Sequence, residues 1–218
     1  MISNNLYKVA VEGNIGCGKS TFLKYFESLS PNIEVSLEPI ERWNNVKGHK
    51  LFEMFYADPS TWSSPLQSQV VVTFLHQQAT PQLAPVRLIE RSLHSGRHCF
   101  IEAIRQNNQI SHSDVEVLHE FYKFGRDLPF CKLDLIVYLR SSPEVCAERI
   151  RRRHRRGEEG ISMDYLQQLH DLHDKWLLGG KSDDCPAPVL VFDCDEPLET
   201  ITNVYYERRE QVMCGVKS

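Results

Sequence analysis

Gly13-Asn14-Ile15-Gly16-Cys17-Gly18-Lys19-Ser20 fits the pattern G-x-x-x-x-G-K-[ST], a loop that wraps phosphate. Its flanks fit as well. Tyr7-Lys8-Val9-Ala10-Val11-Glu12 reads as a buried strand, and Thr21-Phe22-Leu23-Lys24-Tyr25-Phe26 reads as the helix that follows. Glycines let the backbone curl until several N–H groups face one anion, and the start of the helix adds its positive dipole end. In such a loop Lys19 reaches the outer phosphates and the Ser20 hydroxyl ligates Mg²⁺. A chance Lys-Ser after a glycine-rich turn would lack this strand-loop-helix context. The stretch therefore predicts binding of a nucleoside triphosphate.

Outward from the loop, strands and helices alternate, which predicts a parallel sheet with helices on both faces. Further strands are expected over 33–37, 86–89, 133–139 and 189–192, making five in all. Asp58-Pro59 and Ser64-Pro65 should break the helical region after the second strand, and 67–78 should be helical. Helices are also expected over 95–105 and 113–126, from Ser142-Pro143 into the arginine run 149–156, through 165–176, and over 198–209. The whole of 1–218 reads as one domain, with a lid at about 149–162 and a loose tail at about 210–218.

The net charge of −4 gives no global attraction to nucleic acid or membrane. No apolar run approaches the roughly 20 residues of a membrane span. Seven cysteines, an odd number without C-x-x-C spacing, read as free thiols in a reducing compartment. The expected location is the cytoplasm, or the mitochondrion if a transit peptide has been removed.

Open α/β sheets bind ligands at the carboxyl ends of their strands. Glu12, Glu38 and Glu90 fall there, with Arg91 next to Glu90. Phosphoryl transfer needs a carboxylate for Mg²⁺, one to take the acceptor's proton, and cations for phosphate oxygens. Glu38, Glu90 and Arg91 supply that set; Glu12 reads as a brace for the loop. The six arginines of 149–156 read as a lid that clamps phosphates, with a solvated face or a nucleic-acid patch as alternatives. His170 and His173, at i,i+3 and flanked by Asp171 and Asp174, read as the wet side of an amphipathic helix, with a metal site as the alternative.

Glu12-Gly13-Asn14-Ile15-Gly16-Cys17-Gly18-Lys19-Ser20, Leu37-Glu38-Pro39, Trp43, Asp58-Pro59, Pro65-Leu66-Gln67-Ser68, Glu90-Arg91-Ser92, Tyr138-Leu139-Arg140-Ser141-Ser142-Pro143-Glu144 and Leu166-Gln167-Gln168-Leu169-His170 occur in this order. In these motifs and the arginine lid the chain resembles the deoxyribonucleoside kinases, especially their multisubstrate insect and mitochondrial thymidine kinase branches. The resemblance runs from about 7 to 201. It implies a P-loop kinase fold, a five-stranded parallel sheet with an arginine-rich helical lid, and ATP as phosphoryl donor to the 5′-hydroxyl of a deoxynucleoside. Glu38 then matches the general base, kept ionised by Arg91 beside it. Lys19 belongs to the catalytic group, and Ser20 and Glu90 match the Mg²⁺ shell. Gly13, Asn14, Gly16, Cys17, Gly18, Lys19 and Ser20 match the phosphate loop. Arg149, Arg151, Arg153 and Arg155 match the lid arginines, and Asp193 falls in the loop that contacts adenine.

On the acceptor side, Tyr56 and Glu158 match the pair that holds the 3′-hydroxyl. Gln67 matches the amide that reads the base edge, and Trp43 and Phe100 match the aromatic packing around the base. The family tunes that pocket at positions matching Val70, Phe74 and Gly96. Members preferring cytidine or purines carry Arg and Asp where this chain has Phe74 and Gly96, so pyrimidines, thymidine and deoxycytidine, are expected to be favoured. The resemblance also implies a homodimer. A nucleoside-monophosphate kinase shares loop, sheet and lid, but would show Asp-Arg-Tyr-like residues at Glu90-Arg91-Ser92. A non-catalytic nucleotide-binding module would carry a guanine-reading Asn-Lys-x-Asp, which this sequence lacks.

Overall fold

The computed structural model of the chain describes residues 5–155, 158, 160–179 and 185–217. Among them, five parallel strands form the centre: β1 (Tyr7–Glu12), β2 (Ile33–Ser36), β3 (Val86–Glu90), β4 (Leu135–Arg140) and β5 (Val189–Asp193). Their order is β2-β3-β1-β4-β5. β1 is central, paired with β3 on one side and β4 on the other, so Val9, Ala10 and Val11 are fully buried. That explains why Val9-Ala10-Val11 is an apolar run rather than an alternating stretch. The register sets Val11 opposite Glu90 and Glu12 opposite Tyr138. Three strand ends therefore meet at one rim.

The helices are α1 (Lys19–Leu29), α2 (Ile40–Asn44), α3 (Leu51–Ala57), α4 (Pro59–Ala79), α5 (Leu93–Ser95), α6 (Glu102–Gln106), α7 (His112–Arg126), α8 (Pro143–Arg153), α9 (Met163–Leu178), α10 (Leu198–Glu207) and α11 (Arg209–Val212). Short polar residues start several of them. Asp58, Ser111, Ser142 and Ser162 accept from backbone N–H groups in the first turns of α4, α7, α8 and α9. On one face of the sheet Phe22 and Phe26 pack with Leu88, Phe192 and Tyr205. On the other, Ala10, Ile136 and Tyr138 meet Leu169 and Trp176 of α9. A third cluster, Trp43, Phe55, Phe74 and Tyr122, joins α2, α3, α4 and α7 into a separate wall.

Three local expectations change. Pro65 does not break the helix: α4 runs through it from Pro59 to Ala79, because one lost backbone hydrogen bond is outweighed by burial of Leu66, Val71 and Phe74 along the same helix. The helix expected over 95–105 is divided by a π-turn, Gly96–Ile101, between α5 and α6. The tail expected to be loose is packed as far as Lys217. Val212 and Met213 are fully buried, and the Asn32 side chain donates to the Lys217 carbonyl at 3.0 Å. Burying two such apolar side chains contributes about 1.5–3 kcal/mol each, enough to order a short helix. Residues 1–4 and 218 lie outside the described set.

Candidate active site

The phosphate loop seats against backbone. At Gly13 (φ +142°) a Cβ would lie 2.5 Å from the Leu139 carbonyl oxygen, and at Gly16 (φ +85°) it would lie 2.6 Å from that of Cys146. Only glycine permits both the φ and the approach. Asn14 braces the loop to α9: its Nδ2 donates to the Leu166 carbonyl at 2.9 Å and its Oδ1 accepts from the Ile15 N–H at 2.8 Å. Lys19 opens α1, and its Nζ donates to the carbonyls of Asn14 (2.8 Å) and Gly13 (3.2 Å).

Two cavities share this loop as a wall. The first opens between the phosphate loop and the wall of α2, α3 and α4. Glu38, Trp43, Tyr56, Gln67 and Val70 line it, as do Phe74, Arg91, Gly96, Phe100 and Glu158, so every residue expected on the acceptor side is brought together. The second is lined by Gly16, Cys17, Gly18, Lys19, Ser20, Arg149, Arg153 and Arg155. Gly16, Lys19, Glu90, Arg153 and Arg155 face both cavities. A group transferred between them passes this shared wall.

Arg91 is the most constrained residue of the site. It holds a left-handed backbone (φ +64°), which costs a non-glycine residue about 1–3 kcal/mol. Its N–H donates to the Val11 carbonyl at 3.0 Å and its Nη1 to the Gly13 carbonyl at 2.9 Å. The guanidinium lies over the Phe100 ring, 4.6 Å from the centroid. Its Nε lies 3.1 Å from Glu38 Oε1, an ion pair rather than an aligned hydrogen bond.

Burial pushes the Glu38 carboxyl above the usual carboxylate range; Arg91 opposes this and Glu90 adds to it. The expectation that Arg91 keeps Glu38 ionised is thus met only in part: the cation pulls the right way, and desolvation outweighs it. Glu90 accepts from the Ser20 hydroxyl at 3.0 Å, which pairs two oxygen donors beside the phosphate loop.

The arginines of the lid divide by helical phase. Arg149 and Arg153, at i,i+4, face the loop, as does Arg155 beyond the helix end. Arg149 donates to the carbonyls of Cys194 (2.8 Å) and Cys17 (3.3 Å). α8 stops at Arg153 because His154 turns left-handed (φ +48°). Arg153 then grips Glu158 through two bonds of 2.8 and 2.7 Å, and Arg155 adds a third at 3.3 Å. Arg151 does not join them. It is 74% exposed and pairs with Glu148 at 3.0 Å. Arg156, Gly157 and Glu159, also within the expected lid, lie outside the described residues. Asp193 is exposed and lines neither cavity; its neighbour Cys194 lines the second.

Trp43 is fixed by its Nε1 donating to Thr73 Oγ1 at 2.8 Å, and its ring lies 6.2 Å from Phe74 at a steep angle. The π-turn carries Gly96 and Phe100 to one side, facing the first cavity; such turns recur at functional sites. Tyr165 also lines that cavity, although the sequence pattern reads it only as part of an apolar helix face. Its position directly after the lid segment is the signal that points to it. Burial raises its hydroxyl to about 12.

The histidines of α9 are not a wet face. His173 is fully buried, stacks on Tyr138 and bonds the Leu169 carbonyl. His170 meets Asp174 at 3.4 Å, and Asp174 in turn holds Arg140 and Tyr138. Among the described residues, no group of three or more His, Cys, Asp and Glu is placed to hold a metal by itself. No described helix is long and apolar enough to cross a membrane.

Comparison with known proteins places this geometry in context. The sequence model of the deoxynucleoside kinase family matches residues 9–217. Mitochondrial thymidine kinase 2 of Macaca fascicularis is 38% identical over 205 residues, covering 94% of this chain and 77% of that protein. The Homo sapiens protein of the same name is 37% identical over the same shares. Deoxycytidine kinase 2 of Gallus gallus is 31% identical over 196 residues, 79% of this chain and 74% of that one.

Proposed function

The chain belongs to the deoxynucleoside kinase family, and from that premise we propose how its residues divide the work of phosphorylating pyrimidine deoxynucleosides. ATP, the donor of this family of kinases, occupies the P-loop cavity, and the nucleoside occupies the cavity lined by Gln67 and Phe100. The observation that carries the division is the wall of Gly16, Lys19, Glu90, Arg153 and Arg155 that both cavities share, with the ion pair of Arg91 and Glu38 on the side of the first.

Glu38 accepts the proton of the 5′-hydroxyl as its oxygen bonds to the γ-phosphorus and ADP leaves. Lys19, Arg91, Arg149, Arg153 and Arg155 stabilise the charge spread over the phosphoryl oxygens. Tyr56 and Glu158 hold the 3′-hydroxyl. A wall packed against C2′ leaves no room for a second hydroxyl there. Gln67 reads thymine or cytosine by flipping its amide, because the two bases exchange donor and acceptor. Val70, Phe74 and Gly96 set the size of the base pocket, and Trp43 and Phe100 flank the base.

The donor set fits Mg²⁺. Ser20 Oγ and Glu90 Oε1, 3.0 Å apart beside the P-loop, are the small number of oxygen ligands that this ion takes from protein when phosphates and water complete its shell. When bound, it neutralises charge on the phosphate oxygens.

The proposal includes a homodimer. Val117, Phe121 and Phe124 stand exposed on α7 at i, i+4 and i+7, a stripe suited to the same stripe of a second copy. All seven cysteines are unpaired, which fits a reducing compartment, cytoplasm or mitochondrion.

The testing experiment is a kinetic panel of the four deoxynucleosides with ATP, run beside the four ribonucleosides and thymidine monophosphate. Thymidine and deoxycytidine should give the highest kcat/KM, and the ribonucleosides and the monophosphate the lowest. Faster turnover of the monophosphate would overturn the assignment of the acceptor.

A further inference from the structure

Glu12 is the last residue of β1 and is completely buried, yet no step above uses it. Its Oε1 accepts from the Ser92 hydroxyl at 2.5 Å, and its Oε2 has no hydrogen-bond partner. A buried carboxylate with an unsatisfied oxygen is costly to keep, so its retention calls for a use.

The register supplies one. Three consecutive residues of the β1–loop junction hold two consecutive residues at the end of β3. The Val11 carbonyl accepts from the Arg91 N–H, the Glu12 carboxyl from the Ser92 hydroxyl, and the Gly13 carbonyl from Arg91 Nη1. Of the three, the Glu12 bond alone uses a side chain of the junction. Ser92 is also the N-cap of α5: its Oγ accepts from the His94 N–H at 3.2 Å, while the Ser95 hydroxyl lies 3.3 Å from the Ser92 N–H. Glu12 therefore fixes the hydroxyl that starts the segment leading to Gly96 and Phe100. Phe100 is the ring on which the Arg91 guanidinium rests.

We propose that Glu12 is a positioning residue for phosphoryl transfer: through Ser92 it holds the left-handed Arg91 turn and its cap against the phosphate loop, so that Arg91 is presented to Glu38 and to the donor. The proposal rests on the reading that Arg91 is the cation beside the acceptor hydroxyl. The charged and polar groups facing Glu12 are Arg91, Ser92 and Ser95 from the end of β3 and α5, Lys19 from α1, and Cys99 from the π-turn. Burial raises the Glu12 carboxyl to about 7, against the pull of Ser92, Arg91, Ser95 and Lys19. It is therefore held close to the balance between its neutral and charged forms, and either form accepts the Ser92 proton.

The test is steady-state kinetics of Glu12→Ala, Ser92→Ala, Ser92→Thr and the double variant Glu12→Ala/Ser92→Ala, with thymidine and ATP, and with folding checked by thermal melts. Misplacing a reacting group by about 1 Å costs on the order of 100-fold. The two single alanine variants should lose 10- to 100-fold in kcat, with both KM values within threefold of the parent. Ser92→Thr should restore kcat to within threefold. The double variant should be no worse than the poorer single variant, since both remove one bond.

Either folded single variant retaining kcat within threefold overturns the proposal, as does a loss confined to KM. Failure of both single variants to fold also overturns it, because the bond would then serve the fold. Arg91→Ala, measured alongside, separates the two levels. If it keeps full kcat, the reading of Arg91 fails; if it collapses while the Glu12 and Ser92 variants do not, only the role of Glu12 fails.

Discussion

Arg91 Nε lies 3.1 Å from Glu38 Oε1, and this pair lines the first cavity, which shares Lys19 and Glu90 with the second. Burial raises the Glu38 carboxyl, and Arg91 is the largest influence opposing it. A base works in its charged form, so kcat/KM should rise with pH, and its acid limb should lie above the ordinary 4.5. Arg91→Ala removes the opposing charge, so the limb of its residual activity should move to higher pH. Glu38→Gln should abolish the limb and lower kcat by about 10²–10⁴-fold while ATP still binds. Profiles of kcat/KM from pH 5 to 9, with ATP binding followed by calorimetry, check all three outcomes.

The lid gives a sharper contrast within one run of sequence. Arg149 and Arg153 line the P-loop cavity, whereas Arg151 faces solvent and pairs with Glu148. An exposed pair of this kind contributes little. Arg151→Ala should therefore leave the KM for ATP within twofold. Arg149→Ala and Arg153→Ala should each raise it 10-fold or more, since each removes a guanidinium from the P-loop cavity in which ATP is proposed to sit. Initial rates at varied ATP and saturating thymidine make the comparison.

That contrast also marks what was legible in the sequence. The helical period of 3.6 already puts 149 and 153 on one face and 151 on the other, although the family resemblance groups Arg151 with them. The strands were legible because each is a short apolar run bounded by turn residues, and their carboxyl ends led directly to Glu38, Glu90 and Arg91. The link between Glu12 and Ser92 was not. It spans 80 residues and exists only because β1 lies beside β3, a pairing that no local pattern encodes. Nor was the π-turn, since i+5 and i+4 bonding are served by the same residues. The burial of His173 escaped because Tyr138, on a distant strand, decides which face of α9 is dry.

Gly96 lets the size of the proposed base pocket be tested without disturbing the fold. It lines the first cavity, and a Cβ built there meets nothing within 4 Å. Its φ is negative, so an L side chain carries no backbone strain. Gly96→Val should leave the melting temperature within about 2 °C of the parent and lower kcat/KM for deoxyadenosine and deoxyguanosine more than for thymidine, by about 10-fold in the ratio. Valine adds three carbons there, and even one extra methylene in an apolar pocket discriminates by about this much. Loss of all four activities in equal proportion would show that the side chain does not face the base.

His94 and His173 contribute to the response of the fold to acid. Burial lowers both to about 3, against 6.5 for an unconstrained histidine. Below about 6.5 the unfolded chain takes up protons that the folded chain refuses. Their contribution is therefore full above that pH and is lost as the pH falls toward 3. Between pH 7 and 5 each accounts for about 2 kcal/mol. Glu12 acts with the opposite sign. Its raised value means that the folded state holds a proton the unfolded state releases, so between 4.5 and 7 stability falls as pH rises, by about 2 kcal/mol from pH 5 to 7. From these three groups the parent should gain about 2 kcal/mol on going from pH 5 to 7. His173→Phe, which keeps a flat ring against Tyr138, should lose that gain. Urea midpoints at pH 5, 6 and 7 measure it, and an unchanged slope in the variant would place the acid sensitivity elsewhere.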